Sequence, residues 1–225
     1  MFDIILFDLD NTLLDFNWAE RNALLHTLPS LGIEPSEAVI RRYSELNLAQ
    51  WKLLELGKLT REEVKLRRYK LLFEEIGSDA SPYEAVKIYE SYLCQGHCFL
   101  PDAEDVLKTL CSSRQLYLVT NGTAAVQKGR IESAGLSRYF RDFFISEEIG
   151  YNKPFKEYFD YCFSHIPNFH KKSCVIVGDS LSSDIKGGKN AGIQTVWFNP
   201  ALSQPDFDIQ PDYEIHALKE LLTIL

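Results

Sequence analysis

The chain has 225 residues, 45% hydrophobic and 25% charged, with a net charge of −8. That length suits one large domain, or a core with a smaller inserted one, and buries a substantial core. The acidic balance disfavours a nucleic-acid backbone as the main partner, and no apolar run is long enough for a transmembrane helix.

Ile4 to Phe7 is a short apolar run that ends in Asp8. No basic region precedes it and acidic residues follow it, so we expect no signal peptide and a cytoplasmic protein. From about Asp15 to Cys98 no convincing strand occurs. This stretch reads as helices over Trp18–Leu28, Ser36–Leu56, Thr60–Ile76 and Pro82–Leu93. Thr60 with Glu63 forms a capping-box pattern, and Gly57 and Gly77 mark breaks.

Helical and apolar segments then alternate. Helices are expected over Asp102–Cys111, Ala124–Ala134, Lys156–His165 and Ser183–Ala191. Strands are expected over Leu116–Val119, Phe143–Ile145, Cys174–Val177 and Thr195–Phe198. Gln204 to Gln210 reads as a loop, and Pro211–Ile215 as an edge strand before a short helix. Near-continuous apolar strands separated by helices imply an α/β fold with a Rossmann-like parallel sheet. The expected organisation is an α/β core from residues 1–14 and 99–225, with a helical domain inserted at 15–98.

The five cysteines, Cys94, Cys98, Cys111, Cys162 and Cys174, include no Cys-x-x-Cys pair. They read as reduced thiols, with Cys174 in a core strand. Cys94, His97 and Cys98 lie close together, but no second Cys/His pair with zinc spacing follows them.

Ligands of parallel sheets bind at the carboxyl ends of the strands. That rim collects Asp8, Asp10, Thr120, Asn121 and Asp179, with Lys153 in a loop after a fourth strand. Carboxylates gathered at one rim repel each other unless a hard divalent cation sits among them, and Mg²⁺ prefers oxygen ligands. Lys153 and that cation would neutralise a phosphoryl group, and the Thr120 hydroxyl would donate to its oxygens.

These residues resemble the signature of the haloacid dehalogenase superfamily. Asp8-Leu9-Asp10-Asn11-Thr12 matches Asp-x-Asp-x-Thr, the first motif. Thr120-Asn121-Gly122 resembles the second and Lys153-Pro154 the third. Gly178-Asp179 through Asp184 resembles the fourth, Gly-Asp-x-x-x-x-Asp. All four stand in the family's order. The resemblance implies a phosphatase that needs Mg²⁺ (or Mn²⁺). Asp8 is its nucleophile and forms an aspartyl-phosphate, and Asp10 is general acid and then base. The metal would be held by Asp8, Asp179 and the Asp10 backbone carbonyl. Thr120, Asn121 and Lys153 would bind the phosphoryl group, and Asp184 would orient Lys153 or a metal-bound water. The acid at Asp10 argues against dehalogenase chemistry, because a halide leaves without a proton.

A helical lid over the rim suggests a small soluble phosphate ester as partner, not a nucleic acid or a membrane. The segment Asp15-Phe16-Asn17-Trp18-Ala19-Glu20, with Asn11, is similar to the pyrimidine-preferring 5′-nucleotidase subgroup. Phe16, Trp18 or Trp51 would then stack on a base, and Asn17 or Gln50 would bond its edge. The alternatives are a sugar-phosphate or phosphoglycolate phosphatase and, more distantly, a phosphomutase. From another class comes a receiver-like phospho-accepting domain. The sequence leaves monomer or dimer open.

Overall fold

The computed structural model describes residues 2–204 and 209–225. Residues 205–208, within the loop expected at Gln204–Gln210, lie outside the described residues. The chain begins with strand β1 (Ile4–Phe7), all of it buried. Four helices follow: α1 (Phe16–Ser30), α2 (Glu37–Glu55), α3 (Arg61–Ile76) and α4 (Pro82–Leu93). The chain then runs through α5 (Ala103–Leu110), β2 (Gln115–Thr120), α6 (Ala124–Ser133) and β3 (Asp142–Ile145). After β3 come α7 (Ser146–Ile149), α8 (Lys156–His165), β4 (Cys174–Gly178), α9 (Lys186–Ala191), β5 (Gln194–Phe198), β6 (Tyr213–Ile215) and α10 (Leu221–Ile224).

The six strands form one parallel sheet in the order β3-β2-β1-β4-β5-β6. Side chains alternate faces along each strand. Ile5, Phe7, Leu118, Val175 and Val177 therefore pack on one face with Val106 and Leu107 of α5 and Leu221 of α10. Ile4, Leu6, Val119 and Ile176 pack on the other with Tyr158 and Phe159 of α8 and Ala191 of α9. With both faces covered, the central strands read as unbroken apolar runs. β1 lies between β2 and β4, so the chain crosses away from it in both directions. The crevice at the carboxyl ends of these three strands is the fold's switch point.

The helices from α1 to α4 build a separate apolar cluster, including Leu24, Leu28, Tyr43, Leu72 and Tyr89. α1 packs on α4 and α2 on α3. Local signals set the ends. Asp15 accepts from Trp18 N at 2.9 Å and so caps α1. Thr60 and Glu63 form the expected capping box. Gly57 and Gly77, with φ of 68° and 66°, turn the chain where it must become left-handed. The chain enters and leaves this helical insert side by side. Leu14 bridges Phe99, and Asp15 N donates to Cys98 O at 2.8 Å.

The expected helix over Ser183–Ala191 differs in form. A π-helical turn occupies Leu181–Ile185 and the α-helical part is only α9. The wider turn carries the Asp184 carboxyl back over Gly178, where an added Cβ would overlap it.

Candidate active site

The motif residues gather at the rim formed by the carboxyl ends of the strands. Asp8 follows β1, Thr120 closes β2, Asp179 follows β4, and Lys153 lies in the loop between α7 and α8. Lys153 is buried at 1% exposure. Its Nζ donates to Asp8 Oδ1 at 2.7 Å, Asp184 Oδ1 at 2.7 Å and Val119 O at 3.0 Å. All three ammonium hydrogens are thus committed. Thr12 hydroxyl lies 3.2 Å from Asp8 Oδ2 and accepts from Asp179 N at 3.1 Å, which ties the first motif to the fourth.

Asp8, Asp179 and Asp184 each place a carboxylate oxygen within 4.8 Å of the others. One lysine faces these three carboxylates. Burial pushes Asp8 up to about 7; Lys153 opposes this, and Asp184 and Asp10 add to it. Burial likewise raises Asp179 well above the carboxylate range, reinforced by Asp8 and Asp184. Burial alone would lower Lys153, but Asp184 and Asp8 outweigh it and raise its pKa. The surplus negative charge and the all-oxygen donor set fit a hard divalent cation.

Asp10 is held differently. Arg130 of α6 pairs with its Oδ1, and Gln127 Nε2 donates to its Oδ2 at 2.7 Å. Arg130 is fully buried, donates from Nε to Gly96 O at 3.1 Å, and lies 5.7 Å from the Phe16 ring centroid. It therefore touches both chain segments that join the insert to the sheet. Gln127 Nε2 also donates to Thr120 Oγ1 at 2.8 Å, and Gly122 N donates to the same oxygen at 3.2 Å. With two donors on its lone pairs, the Thr120 hydroxyl has its own hydrogen left to give. A Cβ at Gly122 would overlap the Gln127 side chain that arranges this. Sequence reading missed Gln127 and Arg130. Their only trace there is three-residue spacing on one helix.

Asn121 serves the site indirectly. Its Nδ2 donates to Lys153 O at 2.9 Å and its Oδ1 accepts from Lys153 N at 2.8 Å. The side chain expected on the phosphoryl group fixes the lysine backbone, and the residue also lines the cavity that holds Asp8. Asp184 accepts from Lys153 with one oxygen and from Ser180 N with the other, at 3.1 Å. Asn11, with φ 59°, turns the chain after Asp10 and accepts from Phe16 N at 3.1 Å.

A cavity of about 540 Å³ runs from Asp8 and Asp179 up into the insert, past Phe16, Asn17 and Trp51. That is the size range of small-molecule sites. Trp18 does not line it; it is 43% exposed on the outer face. Gln50 is buried and bonded by Arg67 Nε at 3.1 Å, also away from the cavity. Side chains at the end of α2 and the start of α3 reach the rim. Glu55 accepts from Ser182 hydroxyl at 2.7 Å. Arg61 Nη2 donates to Ser146 Oγ at 2.6 Å, Asn152 Oδ1 at 2.7 Å and Asn121 O at 3.2 Å. Cys94, His97 and Cys98 form no metal-ligand cluster among the described residues. None of the described helices is long and apolar enough to cross a membrane.

A six-stranded parallel sheet, a buried lysine and an acidic cluster at its rim, and a helical bundle inserted after the first strand together define one recognisable class of α/β enzyme. The profile of the family described as "Haloacid dehalogenase-like hydrolase" matches residues 5–198, and the chain belongs to that family. It is 40% identical to the HAD-hydrolase YfnB of Bacillus subtilis (strain 168), over 98% of this chain and 94% of that one. A crystal structure of YfnB bound to magnesium, reported to reveal interdomain movement, superposes with a TM-score of 0.95. It covers 100% of this chain and 98% of that one at 39% identity. Pyrimidine 5′-nucleotidase PynA of Streptococcus pneumoniae (strain ATCC BAA-255 / R6) is 38% identical over 100% of this chain and 95% of its own. Pyrimidine 5′-nucleotidase YjjG of Escherichia coli (strain K12) is 29% identical over 99% and 97%.

Proposed function

We propose that this chain is a cytoplasmic, magnesium-dependent phosphatase that hydrolyses nucleoside 5′-monophosphates, preferring pyrimidines, through an aspartyl-phosphate on Asp8. The observation that carries the chemistry is Lys153 spanning Asp8 and Asp184 beside Asp179, at the floor of a cavity that continues into the insert. The substrate class is supported by the similarity to PynA and YjjG. Residues 15–98 act as the cap over a core of 1–14 and 99–225.

In the first step an Asp8 oxygen bonds to phosphorus and the ester P–O bond breaks. Asp10 hands a proton to the departing nucleoside oxygen. In the second step water adds to the same phosphorus, Asp10 takes its proton, and the Asp8–phosphorus bond breaks to release phosphate. Each Asp10 oxygen accepts one bond and keeps a lone pair for the proton, while Gln127 and Arg130 hold the carboxyl in place. The Thr120 hydroxyl holds the phosphoryl oxygens, and Lys153 joins it by giving up one of its three present bonds. Asp8, Asp179 and the Asp10 backbone carbonyl would hold Mg²⁺ (or Mn²⁺), which supplies positive charge against the transferring phosphoryl group.

Phosphate release from a panel of esters tests this reading, with magnesium and with EDTA. Pyrimidine monophosphates are expected to give the highest kcat/KM, and EDTA to abolish turnover. A clear preference for sugar phosphates or phosphoglycolate would keep the site chemistry but refute the nucleotidase assignment. Activity that persists in EDTA would refute the metal requirement.

A further inference from the structure

The far end of the cavity, inside the insert, is polar. Arg68 Nη1 donates to Asn47 Oδ1 at 2.9 Å, Asn47 Nδ2 donates to Glu20 Oε1 at 2.7 Å, and the Ser44 hydroxyl donates to Glu20 Oε2. Glu20, Asn47 and Arg68 are each only 3% exposed. All four line the same cavity as Asp8. A helix bundle gains nothing from this arrangement, because burying a carboxylate and a guanidinium costs more than packing apolar side chains there.

The group also has hydrogen-bonding capacity left over. The Glu20 carboxylate accepts two of about four possible bonds, and Asn47 has a second amide hydrogen. Arg68 Nη2 makes no protein hydrogen bond among the described residues. The guanidinium is fixed in place: its central carbon lies 4.9 Å from the Tyr89 ring centroid, 5.6 Å from Tyr69 and 5.7 Å from Tyr43. The donors and acceptors are therefore preorganised before a ligand arrives.

α2 serves as a ruler between the two ends. Glu55 touches Ser182 beside the catalytic rim. Asn47 stands about two turns back along the same helix, roughly 12 Å away at 1.5 Å per residue. Phe16, Leu48 and Trp51 line the stretch between and offer apolar surface. A pentose bearing a base spans that interval; a two- or three-carbon phosphate ester does not.

We infer that Glu20, Asn47 and Arg68 read the hydrogen-bonding edge of the pyrimidine, which rests on the nucleotidase reading above. Glu20 accepts from a ring or exocyclic N–H. Asn47 and Arg68 donate to the neighbouring carbonyl or ring nitrogen. These residues then set substrate choice without touching phosphorus.

The test compares kcat/KM for UMP and for ribose 5-phosphate, which lacks the base, in the wild type, E20Q and N47A with magnesium. E20Q keeps the shape of the side chain, and thermal melting checks that each variant is folded. The wild type is expected to prefer UMP. E20Q is expected to lower the UMP to ribose 5-phosphate ratio by about 10- to 100-fold, the worth of one hydrogen bond to a charged group, and N47A by about 2- to 10-fold, the worth of a neutral one. Equal losses on both esters, or an unchanged ratio, in an enzyme that does prefer UMP would overturn this inference and leave the nucleotidase reading standing. A wild type with no preference for UMP would overturn both.

Discussion

Asp8→Asn is expected to remove turnover, by on the order of 10⁴-fold or more, the loss typical when a covalent nucleophile is deleted. The amide keeps the shape of the carboxyl and the contact distance to Thr12, 3.2 Å in the native chain, but cannot attack phosphorus. The fold should persist. Asp8 sits among Asp184, Asp10 and Asp179, and burial already pushes its carboxyl up to about 7. Removing that charge relieves repulsion, so the variant's thermal midpoint without added metal should equal or exceed that of the wild type. Steady-state kinetics and a melting curve on the same preparation check both halves. A variant that is folded and retains a few per cent of the activity would rule out Asp8 as nucleophile.

Lys153→Met is expected to fail in a different way. The lysine is 1% exposed and bonds Asp8, Asp184 and the Val119 carbonyl. Its loss leaves two buried carboxylates facing each other without their shared cation. Breaking a buried ion pair from one side typically costs about 3–5 kcal/mol. Activity should fall by about 10²–10³-fold, as when one stabilising donor is removed from a transition state. The two effects separate by metal titration. Magnesium should restore much of the lost thermal stability, because it neutralises the same carboxylates, but not the rate. A Lys153→Met protein as stable as the wild type in EDTA would show that the lysine does not balance this cluster.

The sheet was legible because its central strands are buried on both faces, so Ile4–Phe7 and Cys174–Val177 stand out as apolar runs that stop at Asp8 and Gly178. The catalytic rim was legible for the same reason: a polar residue at the end of such a run has one place to go. Helices offer less. Arg130 and Gln127 look like ordinary solvent-facing residues of α6, yet both are buried, because Asp10, far away in the chain, needs partners. Glu20, Asn47 and Arg68 show the same limit inside the insert. A 3.6-residue period says which residues share a face, not that the face encloses a cavity. The tryptophan at position 18 illustrates the converse: its position beside the first motif suggested stacking, but it lies two residues past Phe16 and therefore on another side of α1. The π-helical turn at Leu181–Ile185 was also hidden, since the partners that hold Asp184 there include Lys153, which lies far away in the chain.

The covalent role of Asp8 is tested most directly by acid-quenching the Asp10→Asn variant during turnover of p-nitrophenyl phosphate and measuring its intact mass. This ester has a leaving group that needs little protonation, so the first step proceeds while hydrolysis, lacking its base, stalls. The expected result is a protein heavier by one phosphoryl group, with the addition mapped to the peptide that contains Asp8. Continued phosphate release with no phosphoryl adduct, or an adduct on another residue, would contradict it.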